Sequence, residues 1–447
     1  MKIWQKDASK SSELVEAFTV GRDQEFDTQL SRWDVLGSLA HTQMLESIGL
    51  LSAEEYMQIK RELIAIYHEI EEGNFKIDDG AEDIHSQIEA MLTERIGENG
   101  KKIHSGRSRN DQVLVDIKLF LRNEALEMVS LVEKLFNQFQ LLSETHKEKL
   151  MPGYTHLQLA MPSSFGLWFG AYAESLVDDM EILLAAFHVI NKNPLGSGAG
   201  FGSSFPLNRT MTTELLGFSG MNYNVVYAQM TRGKTEKILA MALSSIAATL
   251  AKFSMDVCLY MNQHFGFIRF ADELTTGSSI MPHKKNPDVF ELIRGKCNRI
   301  QALPNELAML SINLPSGYHR EMQLTKEILF PAITELKQCL EICTFMLEHV
   351  EITPDILKDE KFAPIFSVEA VNSETLAGLP FREAYRKVGK QIADGTFIAP
   401  TELHHTHEGS MGNLCNDKIA KSMQQLVGEF AAEKFEKAIQ SLIENSL

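Results

Sequence analysis

The chain has 447 residues, 44% of them hydrophobic and 23% charged, with a formal net charge of −17. That acidity argues against nucleic acid and anionic membrane surfaces as partners, while the length is enough for a large core, as about three domains or as one long bundle with smaller end sections. The N-terminus, MKIWQKDASKSSE, has no apolar core of signal-peptide length, no stretch offers the uninterrupted apolar run of about 20 residues that crosses a bilayer, and a soluble cytoplasmic protein is expected.

Proline is absent before Pro152 and again between Pro206 and Pro282. Residues 1–105 read as a smaller helical section that includes a helix over 53–72. It runs into a polar cluster, His104-Ser105-Gly106-Arg107-Ser108-Arg109-Asn110-Asp111-Gln112. Two guanidiniums, an amide and small hydroxyls stand there at the start of a long helical pattern. A helix N-terminus leaves N–H groups unpaired and carries positive dipole, so the place suits a carboxylate, which Arg can bind through both oxygens. The plainer alternative is an N-cap, Ser108 or Asn110, flanked by exposed basic residues.

From Asp111 to Met151 there is neither Gly nor Pro, and Leu114, Ile117, Leu121, Ala125, Met128, Leu131, Leu135, Phe139 and Leu142 follow helical spacing. Val113, Val115, Leu119 and Phe120 add apolar surface on other faces, so this helix is expected to be buried on several sides. A second polar cluster, Pro152-Gly153-Tyr154-Thr155-His156-Leu157-Gln158, follows it directly. Further helices are predicted over 164–192, 234–265, 288–314 and 319–350, making residues 106–351 a long-helix bundle.

The third polar cluster, GSSIMPHKKNP at Gly277–Pro287, precedes the 288–314 helix. Adjacent hydroxyls sit on a glycine hinge, and paired lysines and an asparagine follow within one loop's reach. That supplies a proton acceptor, cationic charge and an amide beside a mobile backbone. Cys339 and Cys343, four apart on a helix, share a face and read as reduced core residues; none of the five cysteines has disulfide or zinc spacing. Beyond Ile352, four prolines (Pro354, Pro364, Pro380, Pro400) divide residues 352–447 into shorter helices, a compact third section. Within it His404-His405-Thr406-His407-Glu408 reads as an exposed loop in preference to a metal site. Period-two alternation is scarce, so the fold class is all-α: a long central helical bundle with smaller helical N- and C-terminal domains.

At 1.5 Å per residue a 40-residue helix is about 60 Å long, which puts the first two clusters near opposite ends of one molecule. If both serve one site, they come from different chains. Bundles packed antiparallel against their own copies would bring such ends together, so an obligate oligomer with composite sites is expected.

GSSIMPHKKNP resembles, position for position, the signature loop GSSxMPxKxNP of the fumarase/aspartase superfamily. HSGRSRNDQ is similar to the HTGRSRNDQ motif of its argininosuccinate lyase branch, and MPGYTHLQLAMP to the family segment MPGYTHLQ-A-P. Asp83-Ile84-His85, the glycine-rich stretch 193–209, LPSGYHREMQLTKE and LPFREAY extend the resemblance over nearly the whole chain. It implies a homotetrameric helix bundle that splits argininosuccinate into arginine and fumarate for arginine biosynthesis, with a small-molecule substrate and neither metal nor cofactor. The resemblance also implies roles. Ser278 is the general base, Lys284 assists it and stabilises the carbanion, and Asn286 holds a carboxylate. His156, oriented by Glu291, donates or relays a proton to the leaving nitrogen, and Thr155 binds substrate. Asn110 contacts substrate, with Ser108 and Arg109 lining the anion pocket and Tyr318, Gln323 and Lys326 as further substrate contacts. Adenylosuccinate lyase, fumarase and aspartase share the loop but not HSGRSRNDQ, and the intact Thr155, His156, Ser278 and Lys284 argue against an inactive lens-protein relative. Two departures stand out. The family's N-x-S segment near the start, whose Ser contacts substrate, reads Gly21-Arg22-Asp23 here, and its S-x-R-D segment reads Met230-Thr231-Arg232-Gly233.

Overall fold

The computed structural model describes residues 13–78, 81–400 and 402–444; the stretch MKIWQKDASKSS lies outside them. Helix makes up 67% of the structure, and the fold is all-α. Five helices form the bundle: α1 (Arg109–Thr145), α2 (Phe165–Ile190), α3 (Lys234–Met261), α4 (Asp288–Ile300) and α5 (Leu324–Glu348).

α1 runs unbroken for 37 residues, about 55 Å at 1.5 Å per residue. It opens on a capping box in which Ser108 Oγ accepts the Asn110 N–H at 3.3 Å and Asp111 Oδ1 accepts the Ser108 N–H at 2.9 Å. Leu114, Val115, Ile117, Leu119, Phe120 and Leu121 are all buried, so the helix is surrounded, as a run apolar on every face requires. Its two central cations are buried too. Lys118 Nζ donates to Asn222 Oδ1 at 2.7 Å, and Arg122 donates to Asn191 Oδ1 and to the Leu216 carbonyl. The Arg122 guanidinium lies 3.8 Å from the ring centre of Phe435 and 4.3 Å from that of Phe218. Because Phe435 belongs to the last helix, Ala432–Glu444, this cation clamps the end of the chain onto the bundle. Asn416 makes a second tie, donating to Ser143 Oγ and Glu144 Oε1 at the far end of α1.

Aromatic packing joins the helices. Phe253 of α3 lies 4.9 Å from Phe139 of α1 and 5.5 Å from Trp168 of α2, and the polar tips of Trp168 and Tyr172 both donate to Asp256 Oδ2. At the turn from α1 to α2, a Cβ on Gly166 would sit 2.5 Å from Lys147 Cα and 2.7 Å from the Ser143 carbonyl oxygen. Gly166→Ala is expected to destabilise the fold by about 1–3 kcal/mol, read as a lower urea midpoint; an unchanged midpoint would mean that the two backbones part freely there.

Three features differ from the sequence reading. The 288–314 helix is two, α4 and Leu303–Leu310, because the ring of Pro304 clashes with the carbonyl four residues before it and stops α4 at Ile300. The second polar cluster, which the sequence reading gave no secondary structure, is a β-hairpin, β1 (Leu150–Thr155) with β2 (Gln158–Ser164). Among the described residues α3 is the one helix long and apolar enough to cross a membrane by length and composition, and 56% of that window is buried inside the protein. Its small Ser244, Ser245 and Thr249 interrupt the apolar letters without making the helix polar. Cys297, Cys339 and Cys343 are buried free thiols.

Candidate active site

The residues singled out from the sequence fall into two groups, one at each end of the bundle. The first surrounds the start of α1. Phe330, in the second turn of α5, packs 4.2 Å from Phe120 of α1 and 6.5 Å from Phe26, which brings the α5 start and the short helix Asp23–Asp27 to the same end. Here Arg109, Asn110, Tyr318, Gln323 and Lys326 line one cleft of about 210 Å³. Ser108 is not among the lining residues, and its hydroxyl is used in the cap.

Most charges in this cleft are already matched. Arg109 Nη1 lies 3.1 Å from both Glu82 and Asp83, and its Nη2 donates to Ser86, so it is held by the chain's own carboxylates. Arg232 pairs with Glu236 at 3.1 Å and donates to the Met322 carbonyl. Lys326 Nζ sits 2.6 Å from Asp27 and 2.8 Å from Asp23; burial opposes its charge, but these two carboxylates outweigh it and raise its pKa. Gln323 donates to the Thr19 carbonyl.

Beneath the cleft lies a sealed polar layer that sequence reasoning left without a role. His85 lines the cleft and its Nδ1 lies 2.9 Å from Asp34 and 3.6 Å from Asp116. Burial pulls the His85 pKa down, yet Asp34, with Asp83 and Asp27, holds it above its ordinary value. Burial and the neighbouring Asp34 push the Asp116 carboxyl well up. Donor atoms of these three residues converge within 4.8 Å. The buried Arg107, which donates to Ser38 Oγ, balances their charge. The motif Asp83-Ile84-His85 was the available signal, but nothing local announces Asp34 and Asp116, which arrive from other helices.

His104, in the same region, stays neutral in the folded state: burial, then Arg107 and Arg109, lower its pKa to about 4. Between that value and the unfolded value of about 6.5, the unfolded chain holds a proton that the folded chain refuses. Stability therefore falls as pH drops through this window and the loss levels off below it. His104→Gln should lose less Tm than the parent over the same range; parallel Tm curves would remove His104 from the acid response.

The second group is at the opposite end. Tyr154 of β1 packs 5.3 Å from Phe265, just past the end of α3. Arg294 of α4 reaches Met255 Sδ, and Phe290 lies 6.1 Å from Phe253, so the loop that leads into α4 lies at this end as well. Thr155 and His156 occupy the hairpin tip and are exposed. His156 (φ 55°) and Leu157 (φ 58°) form its two-residue turn, a left-handed conformation that costs a non-glycine residue about 1–2 kcal/mol. Leu157 is 80% exposed. A strained, solvent-facing tip of this composition is a familiar mark of a functional site.

GSSIMPHKKNP is also built on a small hairpin, with Thr276–Gly277 (β3) pairing to Lys285–Asn286 (β4). Ser278 Oγ accepts the N–H of Ile280 at 3.3 Å and of Met281 at 3.1 Å. Lys285 pairs with Asp272, and Asn286 lies against Thr276 at 3.4 Å. Glu291, on the first turn of α4, is exposed. Among the described residues no hydrogen bond or ion pair joins His156 to Glu291, and neither lines the α1 cleft. The His404–Glu408 segment lines a separate cleft with Met161 of β2; in it His405 pairs with Glu369 at 2.9 Å, while His404 is exposed beside Glu402.

The helical bundle thus carries a hydroxyl-and-lysine loop at one end and a cation-lined cleft at the other. The Lyase family profile matches residues 7–302. The class II fumarase of Schistosoma mansoni has a similar fold, with a TM-score of 0.71 at 15% identity over 97% of this chain and 95% of that one. The argininosuccinate lyase of Bacteroides thetaiotaomicron is 58% identical over 98% of this chain and 99% of its own length. That of Phocaeicola vulgatus is 58% identical over 99% of both. The chain belongs to the argininosuccinate lyase family, carbon–nitrogen lyases of the fumarase/aspartase superfamily.

Proposed function

We propose that the protein is a cytoplasmic homotetramer that splits L-argininosuccinate into L-arginine and fumarate without a cofactor, in sites assembled from several chains. The observation that carries the chemistry is Ser278: its Oγ accepts two backbone N–H groups, and Lys284 follows in the same loop with no side-chain partner among the described residues. A serine hydroxyl is a poor base. Two N–H dipoles and a nearby ammonium stabilise the alkoxide that a base must be, and so lower the cost of forming it.

Ser278 takes the proton beside a carboxylate of the succinyl arm. The resulting dianion places its charge on that carboxylate, where Lys284 and Asn286 stabilise it. The carbon–nitrogen bond then breaks and fumarate forms, while His156, oriented by Glu291 of another chain, delivers a proton to the departing guanidino nitrogen. Thr155 holds the succinyl arm, and Ser108, Arg109, Asn110, Tyr318, Gln323 and Lys326 form the opposite wall. The cleft of about 210 Å³ is smaller than the roughly 300–1,000 Å³ usual for a small-molecule site, which supports a missing wall supplied by another subunit.

Absorbance of released fumarate tests the reading. Argininosuccinate should be turned over, with adenylosuccinate, malate and aspartate inert; preference for any of those three would overturn it.

A further inference from the structure

The departure at Asp23 puts a second carboxylate on Lys326. Lys326 needs one carboxylate for balance and has it in Asp27, which is buried and commits its other oxygen to the Ile84 N–H. Asp23 is therefore surplus. It touches Lys326 through Oδ1 at 2.8 Å, keeps 23% of its side chain exposed, and lines the cleft; among the described residues its Oδ2 has no hydrogen-bond partner. The other arginines of the cleft are matched elsewhere, Arg109 by Glu82 and Asp83, Arg320 by Glu82, and Arg232 by Glu236. Burial, then the adjacent Asp27 against the pull of Lys326, raises the Asp23 pKa, so the free protein bears a cost at this position that a cationic ligand would relieve.

Resting on the argininosuccinate reading above, we infer that Asp23 is a specificity-determining residue that accepts the α-ammonium of the substrate's arginine arm through Oδ2. Lys326 has a third N–H left after Asp23 and Asp27, and it takes the carboxylate of the same arm. The Asp23–Lys326 pair thus reads a free amino acid by both of its charges at once. A serine at this position, as the resemblance expects, offers a hydroxyl to the same region but no charge.

The test compares inhibition of the intact oligomer by three probes: arginine, its des-amino analogue 5-guanidinopentanoate, and succinate. In Asp23→Asn the bond to Lys326 can persist while the charge goes. Arginine inhibition is expected to weaken about tenfold or more, the scale of one charge-assisted hydrogen bond, with KM rising more than kcat falls. Inhibition by 5-guanidinopentanoate and succinate should stay within about twofold. Equal weakening of arginine and its des-amino analogue, or no change in either, would overturn the inference. Asp23→Ser gives the same comparison if the Asn variant fails to assemble. Wild-type release of fumarate from argininosuccinate is the control: its absence sinks the proposed function, whereas its presence with an unchanged arginine preference sinks only the role of Asp23.

Discussion

Ser278→Ala should lower kcat by about 10³-fold or more, the range for loss of a positioned general base, and leave helix content, assembly and Tm at parental values. The expectation follows from what the hydroxyl touches. Its only hydrogen bonds among the described residues are the two N–H groups of its own loop, so its removal opens no cavity in the core and strands no buried partner. In the proposed role of Ser278 as the base, the loss should fall on kcat and on kcat/KM alike. Fumarate absorbance, circular dichroism and sedimentation on one preparation check all three parts. A near-parental rate would remove Ser278 from the chemistry; collapse of the oligomer would mean that the loop is a structural element instead.

The second large effect comes from mixing. Asn110→Ala and Ser278→Ala proteins should each be nearly inactive, yet co-refolded at equal amounts they should recover about a quarter of parental activity. A site that draws Asn110 from one chain and Ser278 from another is intact when both draws are favourable, each with a one-half chance under random closed assembly. The two residues are separated along one chain by the length of the bundle, since α1 is unbroken from Arg109 to Thr145 and the Ser278 loop joins the far ends of α3 and α4. No recovery above the sum of the separate proteins would refute the shared-site geometry.

Much of this was legible in the letters. The absence of Gly and Pro after Asp111 announced α1, and its apolar residues on all faces announced its burial. The reading failed where the signal is not local. Thr155-His156-Leu157-Gln158 contains no Asn-Gly or Gly at the turn, so the hairpin, which stands on left-handed non-glycine residues, was invisible. Pro304 was in plain sight, but its effect falls four residues upstream. The matched charges of the cleft, Asp27 with Lys326 and Arg109 with Glu82 and Asp83, join residues up to 299 positions apart, and only folding shows that a guanidinium read as a carboxylate receptor is already engaged.

The unbroken α1 also acts as a ruler. Its middle turns bear none of the residues assigned to the chemistry, yet their number fixes how far apart the two ends of the bundle stand and hence, in the proposed composite sites, which copies meet. An insertion or deletion of two full helical turns there, about 10 Å, would keep every side chain on its proper face and still pull all the sites of the assembly out of alignment together. Length drift along evolving relatives should therefore accumulate in the connections and the terminal sections, while this span stays constant to the residue.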